Sequence, residues 1–347
     1  MADGSSTQAA IKSLHKDGSL SAELASKAMH ELMGGTASPA QMGAFLSLLS
    51  TERCTSDIVH ALADVMRSNA ITIDVPRSAG PIVDIVGTGG DGQNTFNIST
   101  AAAFVAAAGG AQVVKHGNRA ASSSCGAADV LEASGARLDL SATEVPAVLE
   151  AARFAFVFAR SFHPAMKHVG PVRSQLGIRT VFNILGPLTN PAKPDCMLAG
   201  VYSPSLGRLY AEVFKMLGMK RALVVHGLEV LDELSIAGPS KVWELCADGN
   251  IKEYEVTPLA DFGVPAHPLA EVASGSVAEN AAELKQLFAG GGREAVKDMV
   301  RMNAGAALYL VGLAADFKAG VALATAVLAD GRAAKSLDAY IAASQPK

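Results

Sequence analysis

The sequence lacks the residues that mark secreted, zinc-binding or nucleic-acid-binding proteins. Its 347 residues include only four cysteines, which lie far apart at Cys54, Cys125, Cys196 and Cys246. Their spacing excludes a zinc site or a disulfide framework and favours a reducing, cytoplasmic compartment. Positive charge is not in excess either, because 29 Lys and Arg face 33 Asp and Glu, for a formal net charge of -4. A chain without a basic surplus is expected to bind neither nucleic acid nor an anionic membrane.

Long apolar runs are also missing. The first residues, MADGSSTQAAIKSLHKDG, contain no apolar segment of the kind that a signal peptide requires. The longest apolar stretches are interrupted by Gly109, Gly110 and Lys115 in one case and by Asp316 and Lys318 in another, too early to span a bilayer. What the chain does have is a hydrophobic content of 50% over 347 residues, enough to build a large core in one or two domains.

The N-terminal part of the chain has helical periodicity only. Four segments carry apolar residues three or four apart: TQAAIKSLHKDG, SAELASKAMHELMGG, SPAQMGAFLSLLSTERC and TSDIVHALADVMRSNA. Each begins near a Ser or Thr suited to N-capping, and the second ends at Gly34 and Gly35, as a glycine-capped helix would. We therefore predict a small all-helical domain over residues 1–72, joined by further helices from about 163–191.

Strand-like and helix-like segments alternate after the turn-rich DVPRSAGP. The run PIVDIV precedes a glycine-rich loop and the helix-like STAAAFVAAAGG, and AQVVK, MLAGVY and ALVVH are further strand-like runs. Strands that alternate with helices are typical of a mostly parallel sheet covered by helices. Residues 73–347 are therefore predicted to form a larger α/β domain.

The glycine-rich loop GTGGDG admits three interpretations. The first is a tight strand-to-helix turn, in which glycine only supplies positive φ. The second is a dinucleotide site, because Gly87, Gly89 and Gly92 satisfy GxGxxG. That site expects an acid about 20 residues later, at the end of the next strand, where this chain has Lys115. A Walker loop is excluded because no Gly-Lys-Ser/Thr follows.

The third interpretation is a site for a phosphorylated sugar. Backbone N–H groups of a glycine loop and of a helix N-terminus together form an anion site. Asn97, Ser99 and Thr100 lie where the following helix begins, and Lys115 and Arg119 bring positive charge at the end of the next strand. Because the carboxyl ends of parallel strands meet at one edge of a sheet, these groups are expected to converge there.

Acidic residues accompany this anion site. Asp91 lies inside the glycine loop, and Asp232 and Glu233 follow the later strand-like run ALVVH. Mg2+ takes carboxylate oxygens together with phosphate oxygens and waters, so the acids are compatible with a metal beside a phosphate. A solvated acidic turn is the alternative.

Four segments together resemble the signature segments of the anthranilate phosphoribosyltransferases. They are GTGGDGQNTFNIST, KHGNRAASSSCG, FHPAMKHVGPVRSQLGIRTVFNILGPLTNPA and HGLEVLDELS, and they occur in the family's order over essentially the whole chain. The resemblance implies a small helical domain and a larger α/β domain, related to the pyrimidine nucleoside phosphorylases. It also implies a homodimer built through the helical domains.

The resemblance further implies the reaction and its cofactor. Anthranilate and 5-phosphoribosyl 1-diphosphate (PRPP) give N-(5-phosphoribosyl)anthranilate and diphosphate, the second step of tryptophan biosynthesis from chorismate. Mg2+ is required, with two ions per subunit expected. No residue is assigned as a catalytic acid or base, because an aromatic amine is already neutral at pH 7 and diphosphate is a good leaving group.

Binding residues follow by position in the matching motifs. The PRPP ligands would be Gly87, Gly90, Asp91, Thr95, Asn97, Ile98, Ser99, Thr100, Lys115, His116, Gly117, Asn118, Arg119, Ala120, Ala121, Ser122, Ser123 and Ala127. Anthranilate would be bound by Gly87, Asn118 and Arg173. The metal ligands would be Ser99, Asp232 and Glu233.

Two positions depart from the family's pattern, and two other functions compete. Ala127 stands where the family often has a serine that contacts the phosphoribosyl group, and Arg160 lies in a segment that varies in the family. A pyrimidine nucleoside phosphorylase shares the fold, but the segments KHGNR and LDELS disfavour this function. A non-catalytic homologue that binds nucleic acid would need a basic groove, which the acidic balance of the chain disfavours.

Overall fold

The computed structural model describes residues 5–120 and 123–346. The chain divides into two compact units, one formed by Met1–Thr72 with Arg160–Pro191 and the other by Ile73–Ala159 with Ala192–Lys347.

The first unit consists of helices. Its members are α1 (Ser6–Asp17), α2 (Ala22–Met33), α3 (Pro39–Leu48), α4 (Ser56–Ser68), α9 (Met166–Leu176) and α10 (Phe182–Leu185), with 3-10 turns at Thr51–Arg53 and Gly186–Leu188. The short α8 (Ala159–Phe162) begins at its boundary. Hydroxyl caps start the N-terminal helices as their sequences predict: Ser21, Ser38 and Thr55 each accept a hydrogen bond from a first-turn N–H. The apolar faces of these helices bury Met29, Phe45 and Leu62.

The start of α1 is capped by a side chain from α2. The carboxylate of Glu31, on α2, accepts hydrogen bonds from the backbone N–H groups of Ser6 and Thr7 at 2.7 and 2.9 Å and from the hydroxyls of Ser5 and Thr7 at 2.6 and 2.7 Å. A negative charge beside the first turn of α1 satisfies N–H groups that have no partner within the helix.

The described residues of the second unit form a seven-stranded sheet. The strands are β1 (Ile82–Gly87), β2 (Gln112–Gly117), β3 (Phe154–Phe158), β4 (Cys196–Gly200), β5 (Arg221–Gly227), β6 (Ser240–Leu245) and β7 (Ile251–Val256), in the order β3-β2-β1-β4-β5-β6-β7. The first five strands are parallel, whereas β6 and β7 are antiparallel to their neighbours. The predicted α/β class with a mostly parallel sheet is thus confirmed.

Helices cover the sheet. They are α5 (Ile98–Ala108), α6 (Ala127–Ala133), α7 (Val145–Ala152), α11 (Ser205–Met216), α12 (Val277–Phe288), α13 (Glu294–Leu310), α14 (Phe317–Ala329) and α15 (Arg332–Ser344). A stack of aromatic rings lies in the core beneath them, where the centroids of Phe104 and Phe154 are 3.9 Å apart and Tyr340 meets Phe154 edge-on at 4.9 Å. Across the described helices, none combines the length and apolar character that crossing a bilayer requires.

The strand order places the glycine-rich loop at a distinctive point. The chain runs outward from β1 through β2 to β3 and then returns to pair β4 with the other side of β1. In open α/β sheets such a reversal leaves a crevice at the carboxyl ends of the strands, where ligands bind. The loops after β1, β2 and β5 all leave from that end, and they carry the glycines, the KHGNR segment and the acidic pair.

Candidate active site

Three glycines of the loop after β1 adopt a conformation that other residues avoid. Their φ angles are +68° at Gly89, +79° at Gly90 and +78° at Gly92. A side chain in this left-handed region costs about 1–2 kcal/mol per residue, so the path of the loop depends on glycine.

Gly87 is required for a different reason. A Cβ on Gly87 would lie 2.2 Å from the Oδ2 of Asp232, and one on Gly200 would lie 1.6 Å from the backbone oxygen of Asp232. Both distances are far below van der Waals contact. The missing side chains at the ends of β1 and β4 therefore let the loop after β5 pack directly on the sheet.

The acidic loop and the glycine loop are joined by hydrogen bonds. Asp232 Oδ2 accepts from the N–H of Gly89 at 2.6 Å, and Asp91 Oδ2 accepts from the N–H of Asp232 at 3.4 Å. Gln93 Nε2 donates to the backbone oxygen of Glu229 at 2.6 Å. Asp91 thus has a local role, because its carboxylate holds the acidic loop against the glycines. Val230, in the acidic loop after β5, has a φ of +65°, which is a strained conformation for a β-branched residue.

Polar groups at the start of α5 are left available. Asn97 is the N-cap residue, but its side chain makes no capping hydrogen bond to the first turn. The hydroxyl of Thr100 is buried and, among the described residues, has no hydrogen-bond partner. A buried hydroxyl without a partner at the start of a helix, next to the glycine loop, fits an anionic ligand.

Lys115, on β2, is buried among acids. It is 1% exposed, and its Nζ donates to the backbone oxygen of Ile85 and, at 3.2 Å, to the hydroxyl of Ser99. Burial lowers the pKa of Lys115, whereas Asp84, Glu233 and Asp232 act in the opposite direction. One buried cation therefore faces three acids, which leaves an excess of negative charge.

This imbalance of charge is reflected in the raised pKa values of Asp232 and Glu233. Burial raises the pKa of Glu233 to about 7, although Lys115 and hydrogen bonds from Ser99 work to lower it. Burial together with the neighbouring charges of Asp91 and Glu233 raises the pKa of Asp232 well above its usual value. A cation stabilises the ionised form of carboxylates whose pKa is raised in this way. Ser99, Asp232 and Glu233 therefore fit a divalent metal.

The number of oxygen ligands that the protein offers indicates how such a metal would be bound. No group of three or more His, Cys, Asp or Glu in residues 5–120 and 123–346 is arranged to hold an ion by itself. Mg2+ commonly takes one or two carboxylates and completes its shell with substrate phosphates and waters. The oxygen ligands present fit that mode of binding.

The loop after β2 is organised by Asp129 of α6, a residue that the motifs did not single out. Its carboxylate accepts from the N–H groups of Ala120 and Gly126, both at 2.9 Å, and pairs with the guanidinium of Arg119 at 3.0 Å. Arg119 also pairs with Glu132 at 2.7 Å. Two acids of α6 thus pair with the guanidinium of Arg119. In this arrangement the guanidinium contacts protein carboxylates and is not positioned to bind a phosphate.

The remaining predicted ligands are distributed along the same two loops. Thr95 forms an isolated β-bridge with Ala273, and Ile98 is the buried first residue of α5. The N–H of His116 approaches Asp84 at 3.3 Å. Gly117 lies against Ala127, since a Cβ on Gly117 would be 3.5 Å from the Cβ of Ala127. Asn118 and Ser123 are exposed, whereas Ala121 and Ser122 lie outside the described residues.

Arg173 belongs to the first unit. It lies on α9, half-buried, with its guanidinium carbon 5.0 Å from the centre of the Phe182 ring. Burial lowers its pKa. Arg160 is exposed on the short α8.

Comparison with known proteins agrees with this geometry. Residues 79–334 match the a/b domain of the glycosyl transferase family, and residues 8–70 match its helical bundle domain. The anthranilate phosphoribosyltransferase of Polynucleobacter asymbioticus is 48% identical over 320 residues, covering 91% of this chain and 92% of the relative. The crystal structure of the Thermus thermophilus anthranilate phosphoribosyltransferase superposes with a TM-score of 0.90 at 44% identity, covering 97% of this chain and 99% of that one.

A further solved structure bears on the ligands. The Saccharomyces cerevisiae anthranilate phosphoribosyltransferase, in complex with PRPP and Mg, is 30% identical with a TM-score of 0.89, covering 99% of this chain and 98% of that one. Fold, loops and acids define a transferase of the glycosyl transferase family. Within that family, the chain belongs to the anthranilate phosphoribosyltransferases.

Proposed function

We propose that the protein transfers the 5-phosphoribosyl group from PRPP to anthranilate, yielding N-(5-phosphoribosyl)anthranilate and diphosphate in tryptophan biosynthesis. The observation that carries this proposal is the packing of the acidic loop on the glycine loop, through Asp232 and Gly89 at 2.6 Å. The packing supports the proposal because it brings the glycine loop, which would bind phosphate, next to the carboxylates that would bind a metal, as a substrate with a metal-bound diphosphate requires.

PRPP would bind along the loops after β1 and β2. The positive φ angles of Gly89 and Gly90 give the first loop a path that glycine adopts readily, and the buried hydroxyl of Thr100 at the start of α5 would add a donor to the phosphate. Lys115 would act mainly by balancing the buried acids, because two of its donor positions are already taken by Ile85 and Ser99.

Anthranilate would be recognised through its carboxylate by Arg173, with Gly87 and Asn118 completing its site by resemblance. Within the described residues, the guanidinium of Arg173 makes no hydrogen bond or ion pair, although it is half-buried. A guanidinium binds a carboxylate through two parallel hydrogen bonds, and partial burial strengthens such a pair. The ring of Phe182 beneath it restricts its orientation.

Ser99, Asp232 and Glu233 would hold Mg2+, and two ions per subunit are part of the proposal. The solved Saccharomyces cerevisiae relative in complex with PRPP and Mg supports a role for the metal. Bound Mg2+ supplies charge stabilisation for the departing diphosphate.

The residues of the chain would promote the reaction by positioning and by electrostatics. The amine nitrogen of anthranilate forms a bond to C1 of the ribose, the bond from C1 to the diphosphate oxygen breaks, and its electron pair leaves with the diphosphate. The amine then loses its proton to solvent water. Backbone N–H groups aimed at the phosphates lower the barrier as negative charge develops on the leaving group. Holding the neutral amine facing C1 contributes several kcal/mol more, so no strong base is required.

Two further properties belong to the proposal. The protein would form a homodimer through its helical unit, and it would act in the cytoplasm. Light scattering of the purified protein tests the dimer, because a monomeric mass at micromolar concentration contradicts it.

A fluorescence assay tests the activity. Anthranilate fluorescence should decay only when PRPP and Mg2+ are both present, and one diphosphate should be released for each anthranilate consumed. Inorganic phosphate with a pyrimidine nucleoside should give no reaction, and a single-stranded oligonucleotide should not bind. Consumption of the nucleoside without use of PRPP would establish the phosphorylase alternative.

A further inference from the structure

A segment far along the chain runs beside the glycine loop. The N–H of Phe96 donates to the backbone oxygen of Val272 at 2.8 Å, and the N–H of Ser274 donates to the backbone oxygen of Asn94 at 2.8 Å. Residues 272–280, called here the brace segment, thus pair with the stretch that leads from the glycine loop into α5. None of the family motifs quoted above includes the brace segment.

The brace segment also contacts the end of the loop after β2. The hydroxyl of Ser124 donates to the backbone oxygen of Gly275 at 2.9 Å. On its other side, the guanidinium of Arg293 donates to the backbone oxygens of Glu271 and Ala273 at 3.0 and 2.9 Å. Arg293 is itself paired with Glu283. Arg293 therefore fixes one side of the segment, while its other side contacts the loops after β1 and β2.

Asn280, in the first turn of α12, is the buried centre of this arrangement. It is 0% exposed, and its amide is fully used. Oδ1 accepts from the N–H of Gly275 at 2.9 Å, while Nδ2 donates to the Oγ of Ser274 at 2.7 Å and to the Oδ1 of Asn97 at 3.0 Å. A buried amide with every hydrogen bond made has a single preferred orientation.

That orientation determines how Asn97 presents its own amide. Asn97 Nδ2 donates to the backbone oxygen of Cys125 at 2.9 Å, a partner that can only accept. Its Oδ1 must then face a donor, and Asn280 is that donor. Among the described residues, the second N–H of the Asn97 amide has no acceptor, and it lies at the start of α5. Without Asn280, the Asn97 amide would lose the partner that keeps its donor end in place.

We infer that Asn280 is a positioning residue for PRPP binding, which acts through Asn97. It holds the Asn97 amide as a donor at the phosphate site and, through the Cys125 oxygen, ties the loop after β2 to the loop after β1. This inference rests on the proposed function for the identity of the ligand. It assigns to Asn280 no contact with substrate.

The variants Asn280→Ala and Asn280→Asp test this role. In the Asp variant one carboxylate oxygen still accepts from Gly275, and the other accepts from the hydroxyl of Ser274, so only the contact to Asn97 is lost. Calorimetry with PRPP and Mg2+ should show binding about tenfold weaker in both variants. The KM for PRPP should rise by a similar factor, with the KM for anthranilate and kcat little changed.

Two controls separate positioning from a structural role and from an effect of charge. Ser274→Ala removes another partner of the same Nδ2 but leaves the contact to Asn97, so PRPP affinity should stay within about twofold of wild type. In an Asn97→Ala background, Asn280→Ala and Asn280→Asp should cause no further loss of PRPP affinity, because the residue through which Asn280 acts is gone.

Several results would overturn the inference. They are unchanged PRPP affinity in the folded Asn280 variants, losses that simply add to that of Asn97→Ala, and a Ser274→Ala variant as impaired as Asn280→Ala. Failure of both Asn280 variants to fold, while Ser274→Ala folds, would assign Asn280 to stability alone. The wild-type titration comes first: if wild type does not bind PRPP, the proposed function itself fails, whereas binding by wild type with unaffected variants refutes only the role of Asn280.

Discussion

The carboxylate of Asp232 accepts a 2.6 Å hydrogen bond from the backbone N–H of Gly89. These residues are 143 positions apart in the chain, and each belongs to a loop at the carboxyl end of a strand. Through this bond a carboxylate that fits a metal ligand is attached to the loop that fits a phosphate. The consequence is that glycine substitutions and changes to the acids should alter the binding of the same substrate.

Replacement of Gly89 or Gly90 by Val should abolish PRPP binding while the protein stays folded. The φ angles of +68° and +79° are unfavourable for a β-branched residue, so the loop would have to leave its anion-binding path. Calorimetry with PRPP and Mg2+ measures the loss. NAD should not bind to the wild type at micromolar concentration.

Gly263→Val is a matched control for these variants. Gly263 has a φ of +71°, and a Cβ there, as at Gly89, would meet nothing within 4 Å. Its strain should lower Tm about as much as that of Gly89→Val, but PRPP binding should persist. If Gly89→Val and Gly90→Val bind PRPP normally, the loop is only a tight turn.

Arg173→Ala should weaken the use of anthranilate by about 10- to 150-fold, since a hydrogen bond to a charged group contributes about 1.5–3 kcal/mol. Arg173→Lys should recover only part of this loss, because an ammonium cannot form two parallel bonds to a carboxylate. Affinity for PRPP should change little. Steady-state kinetics with each substrate varied in turn provide the measurement.

Arg208→Ala is the matched control for Arg173. Its side chain is 56% exposed and pairs with Glu212 on the same helix, so activity should not change. If the affinities for anthranilate and PRPP fall together in Arg173→Ala, the arginine supports the helical unit and is not the anthranilate ligand.

Changing Asp232 to Asn and Glu233 to Gln together should raise the Mg2+ concentration needed for activity by about 10- to 100-fold or abolish activity. Thermal stability of the ligand-free protein should hold or rise, because burial penalises both charges and the two carboxylates repel each other. A Mg2+ titration of activity at saturating anthranilate compares the variant with wild type.

The control for this pair is Glu253→Gln with Glu255→Gln, which removes the same charge from exposed positions on β7. Its Mg2+ titration should superimpose on that of wild type. If the Asp232 and Glu233 variant also superimposes, the acidic pair has no metal role and the solvated-turn interpretation is correct.

Glu31→Gln should destabilise the protein in a pH-dependent way. Burial acts to raise the pKa of Glu31, but hydrogen bonds from Ser5, Ser6 and Thr7 lower it from 4.5 to about 2. A lowered folded-state pKa contributes stability that is present above pH 4.5 and is lost as the pH falls toward 2. The variant should be less stable by about 1 kcal/mol at pH 7, after allowance for partial exposure.

Thermal melts between pH 7 and pH 2.5 check this expectation. The Tm difference between wild type and Glu31→Gln should be largest above about pH 5 and should shrink below it. Glu23→Gln, on the same helix, removes an exposed pair with Lys27 and should change Tm little. A Glu31→Gln difference that is constant across the pH range would contradict the role of the carboxylate charge.

Local features of the fold could be predicted from the sequence because they depend on neighbouring residues. Helix starts at Ser21, Ser38 and Thr55 follow from hydroxyls placed just before periodic apolar residues. The runs that became β1, β2, β4 and β5 are short and apolar, as buried parallel strands are.

Other strands were not identified from their sequence pattern. β3 is the run FAFVF, which follows α7 after a single residue, Arg153 with a φ of +52°, so no turn signal separates helix from strand. β6 and β7 are held by antiparallel pairing at one edge of the sheet, and the largely exposed β7 has a mixed apolar and charged sequence. Pairing with a neighbour, more than intrinsic preference, makes these segments strands.

The sequence by itself determined the composition of the site: a glycine loop that needs positive φ, donors at a helix start, and two adjacent acids. Only the tertiary structure decided how they act together. It showed that Gly87 and Gly200 are needed to let Asp232 approach, that Lys115 is enclosed by acids, and that Asn280 donates a hydrogen bond to Asn97, 183 residues away. The physical reason is that steric exclusion, burial and hydrogen bonding depend on distance in space, which strand order sets and which no local pattern of residues contains.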